Sequence, residues 1–356
     1  MPTNPTNERR VPAKSTLAAT VAASLLIVGG VADADFRAGP DTTPPGSNSE
    51  SSIAPAAGDN CEGVEIEQIG YSPLTMQFDY FRFTVQGMET EAAKCGIEVV
   101  TDDPNNDAAA QVSGIESLLA GGADVIAITS IDPEAIQTAV QAARDQGAIV
   151  LSQVSTFEGA DAYVGLPESE FGRLQANLAA EALKELKPDE EEYQIAILNA
   201  DSLGEGLLER KDGLIEGLEE VITNYEIVAD VEAYEEETAL SAIETIIQGN
   251  PDLDLILTVN DPGSLGARSA VQASSLALNE DVIVGGLGID RRVLEGVLTG
   301  DFPGTVSPEP VATGEALVRA AIAISRGEDI ETDIQVPPVQ ITTENAQEYI
   351  DLLYPE

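Results

Sequence analysis

The sequence predicts an α/β protein built from two similar lobes, each a set of βαβ units around a parallel sheet, and three observations carry that expectation. The chain has 356 residues, beyond the roughly 250–300 at which a single hydrophobic core stops growing. Apolar residues make up 43% and aromatics only 4%, so the cores must be filled by Val, Ile, Leu and Ala, as in parallel sheets covered by helices on both faces. From residue 63 onward, short β-branched runs alternate with amphipathic stretches at intervals of roughly twenty-five to thirty-five residues, with the same cadence in both halves.

The N-terminus precedes that pattern. Residues 1–35 place Arg9, Arg10 and Lys14 before an apolar run from Leu17 to Val31 and the small-residue site Ala32 to Ala34, the layout of a secretory signal peptide. The alternative is a retained anchor, but a run containing Thr20, Ser24 and two glycines is short for a span of about 20 strongly apolar residues. The Arg9-Arg10 pair permits a twin-arginine route. No Cys follows the apolar run directly, so lipid attachment is not expected. Residues 36–62, rich in Pro, Gly, Ser and Ala, read as a flexible linker.

Strands are expected at Val64–Ile69, Glu98–Thr101, Val125–Thr129 and Ile149–Gln153, then at Ile195–Asn199, Ile227–Val231, Leu255–Val259 and Val282–Gly286. The first helix should bury Phe81, Val85, Met88 and Ala92, which recur at near-helical spacing. The only cysteines, Cys61 and Cys95, fall just before the first strand and at the end of that helix. A βαβ helix runs antiparallel to its strand and returns to the strand's starting level, so the two thiols should meet as a disulfide in an oxidising compartment.

The 63 acidic residues against 17 basic give a net charge of −46, a field that excludes nucleic acid as a partner and keeps an exported protein soluble. Histidine is absent, which removes the commonest general base and metal ligand. No cofactor, metal or catalytic activity is expected. Parallel sheets bind ligands at the carboxyl ends of their strands, here Tyr71–Phe81, Thr129–Asp132, Gln153–Ser155, Asn199–Glu205, Tyr234, Asn260–Asp261 and Leu287–Asp290. These stretches hold no nucleophile beside a base. The run Gly285 to Gly288 lacks the GxGxxG spacing of a dinucleotide loop and reads as a tight turn.

Several segments, in order, carry a family resemblance: MQFDYFRFTVQGMETEAAKCG, NNDAAAQVSGIESLLAGGADVIAITSIDPEAI, ERKDGL, GNPDLDLILTVNDPGSLGARSAV, DVIVGGLG and VPPVQITTEN. From about residue 63 to the end the chain resembles the ribose-binding branch of the type I periplasmic binding proteins. The resemblance implies two Rossmann-like lobes joined by a three-segment hinge with crossings near Leu166, Pro308 and Gln340. One lobe would comprise 63–165 plus 309–340 and the other 166–308 plus 341–356, and a hinge motion would close them on the ligand. By the same resemblance Tyr80, Phe81 and Tyr234 sandwich a sugar ring, while Arg210 and Asn260 hold its hydroxyls. Arg210 can instead form a surface ion pair with Glu209 or Asp212. Thr129 and Gln153 lie at site positions on the strand ends.

Departures matter as well. The family's Asp-Arg pair is Gln153-Val154 here, its later cleft Asp is Leu287 and its cleft Gln is Pro308. Losing charged hydroxyl acceptors argues against ribose and for a modified sugar, a polyol or a furanosyl compound, with Asp132, Asp261 or Asp290 as shifted acceptors. The resemblance implies a monomeric, exported solute-binding protein of a sugar-type ABC importer, docking to a membrane permease through acidic residues on exposed helices such as Glu168, Glu170 and Glu205. A ligand-sensing module that reports to a membrane receptor or kinase would have the same fold. The effector core of a transcription regulator shares it too, but the export signal occupies the place of a DNA-binding domain.

Overall fold

The computed structural model describes residues 61–188 and 190–355; the signal expected over 1–35 and the linker up to residue 60 lie outside the described residues. The chain runs β1 (Gln68–Ser72), α1 (Asp79–Ala93), β2 (Glu98–Thr101), α2 (Ala108–Ala120), β3 (Val125–Ile128), α3 (Gln137–Asp145), β4 (Ile149–Gln153) and β5 (Ala162–Gly165). It continues through α4 (Glu168–Leu186), β6 (Tyr193–Asn199), α5 (Glu205–Val221), β7 (Tyr225–Glu232), α6 (Glu236–Gly249), β8 (Leu255–Thr258), α7 (Asp261–Ala273), β9 (Ile283–Val284) and α8 (Arg291–Thr299). It ends with β10 (Thr305–Ser307), α9 (Pro310–Ser325), β11 (Asp333–Gln335), β12 (Val339–Ile341) and α10 (Ala346–Leu353).

Two parallel sheets organise these elements. The first has the order β11-β5-β4-β3-β1-β2 and the second β7-β6-β8-β9, while β10 and β12 form an antiparallel pair. Both sheets are doubly wound: the first strand of each lies inside the second, and the chain then turns the other way. Helices cover both faces, so the strands read as continuous apolar runs. In β3, Val125 and Ala127 face the cluster that includes α1 and α9, whereas Ile126 and Ile128 face the one that includes α2 and α3. In β6, Ala196 and Leu198 likewise face α6 and α7, and Ile195 and Ile197 face α4 and α5.

The chain passes from the first sheet to the second between β5 and α4, returns between β10 and α9, and leaves again between β11 and β12. Local signals start several helices: Asp107 caps α2 through the Ala110 N–H, Asn260 caps α7 through the Gly263 N–H, and Glu235 with Thr238 forms a capping box on α6.

The first strand differs from expectation. Pairing begins at Gln68 instead of Val64 and runs on to Ser72, because the Asp124 carboxylate takes the N–H groups of Glu67 and Gln68 and fixes the sheet's edge there. Gly70 counts against a strand by propensity, yet it lies under Ile126 and Leu118, where a Cβ would come within 2.9 Å of Ile126 Cδ1. Ile66 packs into the core without joining the ladder.

Cys61 and Cys95 form a disulfide, as the sequence predicts, with Cα atoms 5.3 Å apart. It closes a loop spanning a sequence separation of 34, worth about 4 kcal/mol in the chain-entropy model. The Cys61→Ala/Cys95→Ala double variant should therefore lower the melting temperature of the first lobe by about 8–16 °C in scanning calorimetry.

Candidate functional site

The carboxyl ends of β1 and β3 in one lobe, and of β6 and β8 in the other, are the switch points at which such sheets open a crevice. In the first lobe Gln111, fully buried, braces this opening: its Nε2 donates to the carbonyl of Thr129 at 2.8 Å and its Oε1 accepts the Ile131 N–H at 2.9 Å.

One wall is organised by Gln153 at the end of β4. Its Oε1 accepts from Tyr71 Oη at 2.6 Å and Thr129 Oγ1 at 2.9 Å, while its Nε2 donates to Tyr80 Oη at 3.3 Å and Thr84 Oγ1 at 3.4 Å. A carboxamide has two acceptor sites and two donor hydrogens, so Gln153 is saturated. Tyr80 receives that hydrogen bond at a hydroxyl that also lies beside the Thr313 side chain. Burial pushes the Tyr80 hydroxyl up to about 12, with the Gln153 and Thr313 side chains opposing and the Glu168 carboxylate adding to the rise, so it is neutral at any ordinary pH. Burial also raises Tyr71. The turn after Gln153 places Val154 at φ +65°, a conformation that costs a β-branched residue about 1–3 kcal/mol and is typical of ligand sites.

The other wall is built where α4 crosses α5. A Cβ on Gly172 would lie 2.0 Å from the Arg210 carbonyl oxygen, and one on Gly213 would lie 1.9 Å from that of Ser169; only glycine permits this approach. The contact brings Arg210 against Glu168. Nε and Nη2 reach Glu168 Oε2 at 2.7 and 2.5 Å, Nη1 donates to the Val259 carbonyl at 2.7 Å, and Cζ sits 4.8 Å from the centre of the Phe171 ring. Both side chains are withdrawn from solvent, at 14% and 6% exposure. Burial raises the Glu168 carboxyl, with Arg210 opposing. Beside Val259, Asn260 donates Nδ2–H to the Tyr234 carbonyl at 2.9 Å while its Oδ1 caps α7, which leaves one amide hydrogen.

Tyr80 is close enough to Glu168 and Arg210, and Tyr163 on β5 to Glu168, Tyr80 and Glu209, for their charges to act on the two hydroxyls. Tyr80, Thr129 and Gln153 thus form one network, and Arg210, Asn260 and Tyr234 are strung together through Val259. Thr129 and Gln153 lie beneath the surface and act through Tyr80. Phe81 is in the first-lobe core, edge-on to Tyr80 at 5.3 Å. Leu287 is fully buried among Leu166, Phe171 and Val306, so it lines no opening; the apolar residue packs where a carboxylate could not.

Three further expectations change. Glu168 is not on an exposed helix face, since it is Arg210's partner, and Glu209 and Asp212 are not. Asp132 engages Oδ1 with the N–H groups of Glu134 and Ala135, and Asp290 holds the Arg292 N–H and guanidinium. Asp261 accepts the Asp290 N–H at 2.6 Å. Tyr163 was not named by sequence reasoning, Tyr71 only as part of a strand-end stretch and Glu168 only as an exposed docking residue; its place at the first turn of a helix after a chain crossing is the one signal for its pairing with Arg210. Among the described residues no group of three or more His, Cys, Asp or Glu could hold a metal ion.

Residues 69–329 match the family model described as a periplasmic binding protein domain. The ribose import binding protein of Bacillus subtilis is 28% identical over 284 residues, 76% of this chain and 85% of that protein. The xylitol-binding protein of Mycolicibacterium smegmatis is 26% identical, over 83% of this chain and 82% of its own. A solved ABC transporter solute-binding protein from Actinobacillus succinogenes, with bound D-allose, superposes with a TM-score of 0.71 at 25% identity, covering 79% of this chain and 99% of that one.

Two outcomes follow for stability. Gln153→Leu leaves the Tyr71 and Thr129 hydroxyls without an acceptor, at about 1–3 kcal/mol each, so urea unfolding should show a loss of about 2–6 kcal/mol. Burial, with the Asp290 carboxylate adding, pushes the Asp261 carboxyl up to about 7, above its unfolded value near 4. A carboxyl raised in the folded state favours folding below its unfolded pKa and loses that contribution as pH rises toward the folded one. The melting temperature of Asp261→Asn relative to wild type should therefore climb between about pH 4 and pH 7 and level off above.

Proposed function

The chain belongs to the periplasmic binding protein domain family, and from that membership we propose that it is the exported solute-binding protein of a sugar-type ABC importer. It captures a small polyhydroxylated ligand between its lobes and presents it, as a monomer, to a membrane permease; it catalyses nothing. The observation that carries this reading is the pair of polar walls at the two switch points, with the Tyr80 hydroxyl on one and the Arg210 guanidinium and Asn260 amide on the other. Such groups hold hydroxyls in place, and no nucleophile stands beside a base there. The names of the ribose import and xylitol-binding relatives and the D-allose in the related structure support a sugar or polyol. Import is favoured over sensing by the same names.

Ribose itself is disfavoured. Gln153 is saturated and Leu287 is buried, so neither supplies the charged groups that stand at these positions in the ribose-binding branch. Calorimetric titration with xylitol, D-allose, myo-inositol and ribose should find a ligand among the first three with a Kd of about 10 µM or tighter. Arg210→Ala should weaken it by about 100-fold. Micromolar ribose affinity abolished by Arg210→Ala would overturn the disfavour of ribose, and no binding by any of the four would count against the receptor itself.

A further inference from the structure

Glu168 lies behind the ligand-holding groups, yet it decides what Arg210 can do. A guanidinium has five N–H bonds. Two of Arg210's are committed, the Nε–H to Glu168 Oε2 and one Nη1–H to the Val259 carbonyl; Nη2 also lies 2.5 Å from Glu168 Oε2 in the ion pair, and Phe171 supports the plane from one face. The remaining hydrogens, on Nη1 and Nη2, make a fork that can be offered to neighbouring oxygens.

That fork would also suit a carboxylate, were its charge not already met. Glu168 touches the guanidinium directly, and Glu209 lies close enough to act on Glu168 as a like charge. Opposite stand Tyr80 and Tyr163, both neutral. An entering anion would lose its hydration and meet a pair of net zero charge inside a protein of net charge −46, with little Coulomb attraction to offset that loss. A neutral polyol loses much less and still gains both hydrogen bonds.

We propose that Glu168 is a specificity-determining positioning residue: by fixing Arg210 and cancelling its charge, it makes the cleft select a neutral polyhydroxylated ligand over the carboxylate form of the same skeleton. This rests on the sugar-receptor reading above. The test is calorimetric titration of the purified protein with matched pairs: ribose and ribonate, xylitol and xylonate, D-allose and D-allonate, galactose and galacturonate. Wild type should bind at least one neutral member, with its carboxylate partner at least about thirtyfold weaker. Glu168→Gln keeps an acceptor for Nε but removes the charge. Whatever its effect on neutral affinity, it should shrink the neutral-to-anionic ratio at least about tenfold, and added salt should reverse that gain.

A ratio unchanged in Glu168→Gln, with both forms weakened alike, would reduce Glu168 to a packing role and sink the inference. So would a wild type that binds the carboxylate form as tightly as the neutral one. Should Glu168→Gln fail to fold, Glu168→Asp decides: the shorter carboxylate should lose neutral affinity by misplacing the fork but keep the discrimination, and loss of discrimination would overturn the assignment. If no compound of either form binds wild type, the receptor reading itself fails, which is a different result from a receptor indifferent to charge.

Discussion

The close crossing of α4 and α5 is the constraint on which the second lobe's chemistry depends. Gly172 and Gly213 let each helix meet a carbonyl of the other, a separation that any Cβ would forbid. At that separation Glu168 and Arg210 meet directly and share their burial. Removing either partner would strand a charge in a low-dielectric setting, at about 3–5 kcal/mol, so the pair is fixed by what its absence would cost. The first lobe uses the same device: a Cβ on Gly87 of α1 or Gly314 of α9 would lie 2.0 Å from a carbonyl of the other helix. That crossing sets Tyr80, one turn before Thr84, against Gln153.

The two walls solve one problem by different means. Both must hold a polar side chain at a strand end in a fixed pose while leaving some hydrogen bonds unmade. The first wall does it without charge, through a carboxamide whose four sites are all used and which holds the Tyr80 hydroxyl in place. The second uses a neutralised ion pair, leaving hydrogens on Nη1 and Nη2 and one amide hydrogen. On the proposed reading, each residue that would meet the ligand is positioned by one that would not, so little would have to reorganise when the ligand arrives, which lowers the entropic cost of binding.

That division explains what could and could not be read from sequence. The cadence of strands was legible because runs such as Val125–Ile128 are buried on both faces and carry an apolar signature of their own. The disulfide was legible because a βαβ helix must return to the level where its strand began. The first strand was misplaced because Val64 and Ile66 look like strand residues and Gly70 does not, and only the tertiary contacts of Asp124, Ile126 and Leu118 shift the pairing to Gln68–Ser72. Arg210 and Asn260 could be named from the pattern around them. The roles of Gln153, Leu287 and Glu168 could not, because saturation and burial depend on partners distant in sequence: Tyr71 is 82 positions from Gln153, and Glu168 is 42 from Arg210.

Where the molecule can move follows from the same packing. Within each lobe, backbone-to-backbone helix contacts and sheets covered on both faces leave no room for sliding. Between lobes the contacts are fewer: Phe83 of α1 and Val311 of α9 pack against the second lobe's apolar cluster, beside a small set of polar contacts. Tyr354, just beyond α10, sets its ring edge-on to Phe83 of α1 at 5.2 Å, and its hydroxyl meets Asp79 of the first lobe and the Ile289 carbonyl of the second. Gln340, beside the third crossing, donates to the Leu174 carbonyl at 3.2 Å. The aromatic edge and the exchangeable hydrogen bonds are each worth about 0.5–1.5 kcal/mol, far less than the core of either lobe. On the solute-receptor reading, relative motion would be absorbed at the three crossings. There Glu309, at φ +49°, holds a non-glycine residue in a left-handed turn, and a change of a few backbone angles would open or shut the cleft without disturbing the pairings that shape its walls.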